Sequence, residues 1–377
     1  MKIIAVFRSV SGMAVLALLV ALQVEARAYG SDGAGVWRVV REHQQRSFAG
    51  VVPPGNYSGI TPLGGDVYAM VSDKSDSALY FNVRLHISRS TGELLGADYL
   101  GGHGAVDAPG LDNEAIARVS DSTVVIASEG KCRLKEVPLG DTGLTGRPLW
   151  EWTMPDSCFY PNYVFESLAY DSVAHRLWTV NEAPMRRDGL PATTAAPSRN
   201  VLRLMAFDWN NHGANPVGFL YRMDMPTTAR TAQTYVMGVS ELCVLPDGQL
   251  LVLEREAFVP KQKIGAFCNC KLYVVDTKTE TPYCMDSVAG DDAPYVKKRL
   301  LTSWRTTLGL FNRSWANYEG MCLGPRLDDG SQVLVLVSDS QDGYAGVLRD
   351  WFRTIVIQED RKTCRQKDMK TCRQKDM

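Results

Sequence analysis

Five stretches of the chain share one pattern of apolar and polar positions. A short polar or acidic lead runs into an apolar strand, a turn, a second and more strongly apolar strand, and an acid at its end. The stretches are Asn56 to Asp73, Asp112 to Glu129, Val164 to Glu182, Val239 to Glu254 and Asn317 to Asp339. Gly and Asp punctuate the turns, as in Pro246-Asp247-Gly248 and Asp328-Asp329-Gly330, and Val, Ile, Leu and Trp fill the second strands, so each stretch reads as a β-hairpin. A third strand follows, as in Ala78 to Ile87, Val201 to Asp208 and Leu272 to Thr277, and then a fourth before the next unit.

Four strands per unit, repeated along the chain, predict an all-β fold, a β-propeller of four-stranded blades. Five blades are counted directly and a sixth is left open. Two stretches, Pro184 to Asn200 and Arg255 to Cys270, lengthen the third and fourth units and read as loops that shape a site. Val36 to Arg41 is expected to close the ring as an extra strand on the blade that ends with Asp350 to Gln358.

The two ends read differently. Lys2 and Arg8, the apolar run Met13 to Leu22 and the Ala26-Arg27-Ala28 signal mark residues 1–28 as a secretory signal peptide, which predicts a periplasmic or extracellular protein. The apolar run is too short for a membrane span. A single propeller domain is expected over residues 29–358. Residues 359–377 form a charged tail, expected to be disordered, in which Lys362 to Met369 is repeated word for word as Lys370 to Met377.

Composition narrows the function. With 41 Lys+Arg against 42 Asp+Glu, nothing offers the basic surface that nucleic acid requires. Nine cysteines in an exported chain suggest disulfides or buried thiols, an odd count leaves at least one out, and the tight Cys268-Asn269-Cys270 spacing is unlike a zinc knuckle. No nucleophile elbow, phosphate-binding loop, dinucleotide fingerprint or zincin motif occurs. His103, after Gly101-Gly102, is the one histidine placed to reach a channel mouth.

The chemistry is expected from where the repeats put their acids. Equivalent positions lie at equivalent radii in a propeller, so the leading acids Glu114, Glu166, Glu241 and Glu319, with Ser58 in the fifth place, should ring the axis. The terminal acids Asp73, Glu129, Glu182, Glu254 and Asp339 should form a second ring. So many carboxylates need cations, basic residues or protons to coexist. A divalent metal, Ca²⁺ by its liking for several flexible oxygen ligands, is the expected cofactor, with all nine acids as candidate ligands. Glu166, Glu241 and Glu319 are the catalytic candidates, and Lys74, Lys131, Arg186 and Arg255 the candidate substrate-binding cations. The plainer role for any one acid is to accept backbone N–H bonds that fix blade packing.

Certain phrases also carry a resemblance. Asn317-Tyr318-Glu319-Gly320-Met321 with Val335 to Asp339, and Glu166 to Tyr170 with Trp178 to Glu182, resemble the phytase-like family, described as having esterase-like activity of phytase. The likeness spans Phe48 to Ile357. It implies an exported propeller hydrolase acting on a small-molecule ester or phosphoester, with phosphorylated inositol as one candidate substrate. A lactonase-like propeller hydrolase and a non-catalytic binding propeller are the alternatives.

Overall fold

The computed structural model describes residues 35–73, 79–104, 113–129, 132–140, 143–144 and 147–360. The leader, the duplicated tail, Lys74, Lys131, Cys364, Cys372 and the His103 side chain lie outside them.

The strands in chain order are β1 (Val36–Glu42), β2 (Arg46–Ser47), β3 (Tyr57–Gly64), β4 (Val67–Ser72), β5 (Leu79–Ile87), β6 (Leu94–Gly104), β7 (Asn113–Arg118), β8 (Thr123–Ser128), β9 (Arg133–Gly140), β10 (Gly143–Leu144), β11 (Trp150–Thr153), β12 (Ala169–Asp171), β13 (Arg176–Val180), β14 (Val201–Asp208), β15 (Val217–Arg222), β16 (Thr234–Val244), β17 (Leu250–Val259), β18 (Phe267–Val275), β19 (Lys298–Thr307), β20 (Asn317–Arg326), β21 (Gln332–Asp339) and β22 (Trp351–Asp360). Among the described residues they make five antiparallel sheets. Sheet I is β3 to β6, sheet II is β7 to β9 with β10 and β11 sharing the outer edge, sheet III is β12 to β15, sheet IV is β16 to β19, and sheet V is β20 to β22 closed by β1.

That last pairing is the predicted ring closure. Val36 lies opposite Asp360 and Glu42 opposite Ile355, so a strand from one end of the described chain completes the sheet made by the other. Trp37 is buried here, and its indole N–H donates to Asp247 of sheet IV at 2.9 Å.

The apolar layers explain why the second strands are so uniformly hydrophobic. Every residue of β21 is buried. Leu334 and Leu336 pack toward sheet IV, while Val333, Val335 and Val337 pack toward sheet I. Alternate residues point to opposite faces of a strand, and here both faces meet another sheet. Similar layers lie between sheets I and II, II and III, and III and IV, so the interfaces form a closed cycle, which is the arrangement of a β-propeller. Trp178 and Trp315 are core members of these layers, and Trp150, Trp152 and Trp304 pack against them.

The first strands of the sheets surround the axis, and their backbones nearly touch. A Cβ on Gly59 would meet Ala115 Cα at 2.8 Å, and one on Gly320 would meet the Ile60 nitrogen at 3.1 Å. This is the physical content of the shared Asn-Tyr-Ser-Gly and Asn-Tyr-Glu-Gly phrases: only glycine lets adjacent inner strands approach so closely.

One expectation is corrected. Arg255 to Cys270 is not a loop but the end of β17 and the start of β18, joined by Pro260 to Ala266; Arg255 and Glu256 are buried and bonded rather than solvated. Cys132, Cys158, Cys243, Cys268, Cys270, Cys284 and Cys322 are all thiols. No described helix is long and apolar enough to cross a membrane.

Candidate functional site

A β-bulge near the start of the inner strand recurs from sheet to sheet. In sheet I, Tyr57 pairs with Ser72 and Gly59 with Val71, which leaves Ser58 between them. The same geometry leaves Glu114 out in sheet II and Glu319 in sheet V. In sheet III the bridge Phe165 to Asn181 places Glu166 next. In sheet IV, however, Val239 pairs with Glu254 and Glu241 with Leu253, so the residue in the bulge is Ser240. Bulges re-aim side chains at sheet edges and sites.

The facing strand follows the same frame. Asp73, Glu182 and Asp339 lie opposite Asn56, Val164 and Asn317, and Glu129 follows Ser128, the partner of Asn113. In sheet IV the residue at this place, opposite Gly238, is Arg255 rather than Glu254. The fourth unit is therefore shifted by one residue from the alignment that its acids suggest.

The consequence is a cavity of about 450 Å³ lined by Asp73, Glu114, Glu129, Glu166, Glu182 and Glu319, with Arg255 among them. The guanidinium, 4% exposed, ties three sheets together. Its Nη2 donates to Glu182 at 2.5 Å and to Glu166 at 3.3 Å. Nη1 donates to Glu319 and, at 3.0 Å, to Asn317, whose amide donates to Glu319 at 2.7 Å. Burial opposes charge on Arg255, but Glu319, Glu166 and Glu182 outweigh it and hold the guanidinium charged.

Glu166 and Glu182 behave as a pair. Burial pushes the Glu166 carboxyl well above the ordinary carboxylate range, and the Glu182 charge adds to the rise against the pull of Arg255. Burial raises Glu182 too, while Arg255 and a hydrogen bond with Glu166 act in the opposite sense. Both shifts run upward, which favours a proton held within the pair at the wall of the cavity, with Glu166 the more strongly raised member. Tyr163 lines the same wall.

The remaining candidates lie elsewhere. Glu241 is fully buried outside this cavity and accepts the backbone N–H of Leu168 at 3.0 Å and of Leu242 at 2.9 Å, binding sheet III to sheet IV. Glu254 accepts from the Tyr221 hydroxyl at 2.7 Å and pairs with Lys298 between sheets III and IV. Asp339 accepts from the Gln341 backbone at 2.7 Å and from its amide. Arg186 is exposed, donates to Phe159 O at 2.6 Å and lies over the Tyr160 ring.

A cation test follows from the donors present. Carboxylate oxygens are suitable chemistry for Ca²⁺. Yet no three His, Cys, Asp or Glu side chains among the described residues converge as a metal site, and Arg255 fills the place between Glu166, Glu182 and Glu319 where a shared cation would sit. The Arg255 side of the cavity does not fit an ion as arranged.

Glu241 gives a first test. Its folded carboxyl is raised far above its unfolded value by burial. The stability tied to that proton is present below the ordinary carboxylate range and is lost as pH rises toward the folded value. Glu241→Gln should flatten this fall, whereas Glu241→Ala, which orphans the Leu168 and Leu242 amides, should cost about 1–3 kcal/mol in chemical denaturation.

A family model described as Phytase-like, esterase-like activity of phytase, matches residues 52–341. A search of proteins with curated functions returns no match. Among solved structures, a luciferin-regenerating enzyme aligns at 11% identity and TM-score 0.39 over 82% of this chain and 94% of its own. An aldose sugar dehydrogenase from Streptomyces coelicolor aligns at 12% and 0.37 over 86% and 99%. A putative 6-phosphogluconolactonase from Bacteroides uniformis aligns at 14% and 0.33 over 82% and 89%.

Proposed function

The chain belongs to the phytase-like family, and from that premise we propose that it is an ester hydrolase whose reaction takes place in the acidic cavity on the propeller axis. The observation that carries the proposal is the Glu166 and Glu182 pair, two buried carboxyls that share the Arg255 guanidinium and line one cavity.

In this reading Glu319, held in place by Arg255 and Asn317, orients a water and takes its proton as the water attacks the acyl or phosphoryl centre. Glu166 gives its proton to the departing oxygen. The proton taken up by Glu319 then returns to Glu166, and the cycle closes with alcohol and acid as products. Glu182 anchors Glu166 and keeps its proton available. Glu241 and Glu254, bonded outside the cavity, take no part.

Charge sets the substrate class. Among the described lining residues six carboxyl groups stand against one guanidinium, a balance that disfavours an anion. A neutral carboxyl ester or lactone enters unaided, whereas a phosphoester needs a counter-cation. Ca²⁺ belongs to the proposal in that capacity alone, carried in with an anionic substrate. Export is also part of the reading, supported by the leader pattern, and an amino terminus at Tyr29 in protein recovered from outside the cytoplasm would bear it out.

The test is turnover of a neutral carboxyl ester, a lactone and a phosphomonoester, each with Ca²⁺ and with chelator. Chelator-insensitive cleavage of the neutral substrates, and phosphomonoester cleavage only with Ca²⁺, is the expected result. No turnover of any of them would transfer the weight to a binding propeller.

A further inference from the structure

The lip of the cavity on the sheet IV side has a surface character unlike the cavity itself. Three connections meet there: residues 225–233 before β16, residues 260–266 between β17 and β18, and residues 308–316 between β19 and β20. They are held together by backbone bonds from Gly265 to Leu308 O at 2.7 Å, from Leu308 to Ala266 O at 2.9 Å and from Gln233 to Val259 O at 2.8 Å. Arg230 lies over the Phe258 ring at 4.7 Å, beside them. Thr234, Val259 and Trp315, at the edges of the three connections, line the cavity.

At the tip the chain turns its apolar residues outward. Phe311 is 100% exposed and Leu310 72%, with Ile264 at 48% and Met225 at 42%. A fully exposed Phe beside an exposed Leu is costly for a surface that meets only water. The charges in these stretches are of one sign, Arg230, Lys261, Lys263 and Arg313, and Asp224, which immediately precedes the first stretch, is paired with Lys271 and Lys298. The cavity a few residues away is acidic, so this basic character is local.

Apolar side chains projecting from a basic rim match an anionic lipid interface, where the apolar tip enters the acyl boundary and the cations meet the headgroups. We propose that this lip docks on an anionic phospholipid surface and holds the cavity mouth against it. The inference is independent of the reaction assigned to the cavity, and its test uses no activity.

The test is co-sedimentation of the full chain with vesicles of phosphatidylcholine, with and without phosphatidylserine, at low and high salt. Binding to the anionic vesicles that salt releases is expected. Leu310→Ser/Phe311→Ser should weaken it by about tenfold. Lys261→Glu/Arg313→Glu should weaken it by at least about tenfold, at roughly fivefold for each lost cation. All four sites are exposed, so melting should be unchanged. Absence of binding to anionic vesicles, or equal binding by the tip variant and the parent chain, would overturn the proposal. So would a concentration-dependent dimer that the tip variant dissociates without any vesicle binding, which would assign the patch to a second copy of the chain.

Discussion

Replacing Arg255 with methionine is expected to destabilise the protein by about 3–5 kcal/mol at neutral pH. The side chain is buried and bonds carboxylates from sheets III and V while standing on sheet IV itself. Methionine matches much of its length but supplies no charge, which leaves Glu166, Glu182 and Glu319 crowded without their cation. Removing one partner of a buried ionic cluster costs more than the cluster contributed, because the abandoned charges stay desolvated. The loss should depend on pH. Without the guanidinium the three carboxyls titrate higher in the folded state, so the variant recovers as pH falls toward the ordinary carboxylate range and weakens as it rises. Urea denaturation across that window measures both features. A deficit below about 1 kcal/mol, independent of pH, would mean that Arg255 is not what holds the acids together.

Replacing Glu166 with glutamine has the opposite profile: activity falls by about 10²–10⁴-fold while stability is kept or improved. An amide still donates to Glu182, so the hydrogen bond survives, but no proton is left to deliver to the leaving oxygen. The raised carboxyl also predicts a pH profile. Turnover should persist above the pH at which ordinary carboxylic acids have ionised, then decline as Glu166 loses its proton. A glutamine variant with parental turnover would remove Glu166 from the chemistry. Loss of turnover accompanied by loss of folding would be a structural effect, which the melting curve separates.

Much of the fold can be read from the chain because its repeats are hairpins with both faces buried, and such strands are apolar throughout. The closing strand was equally legible, since Val36 to Arg41 is an isolated apolar run with no hairpin partner nearby in sequence. The candidate site was legible only in part. Glu114, Glu166, Glu319, Asp73, Glu129 and Glu182 do meet at one cavity. The fourth unit misleads because counting from its acids hides the bulge at Ser240. A signal was present: Val239-Ser240 parallels Tyr57-Ser58, and that alignment puts Arg255, not Glu254, beside the other terminal acids. Its role as the shared cation was hidden as well, because an arginine after a strand-end acid reads as a substrate-binding cation at the channel mouth. Only tertiary burial, which extends β17 past it to Val259, turns it inward.

The most direct test of the central claim compares the purified chain with Glu166→Gln on a neutral carboxyl ester, following turnover against pH and melting in parallel. The account predicts turnover by the parent chain with an alkaline decline, and a variant that melts normally but is at least about 10²-fold slower. Equal turnover by the two proteins, or no turnover by the parent chain on any ester, would contradict it.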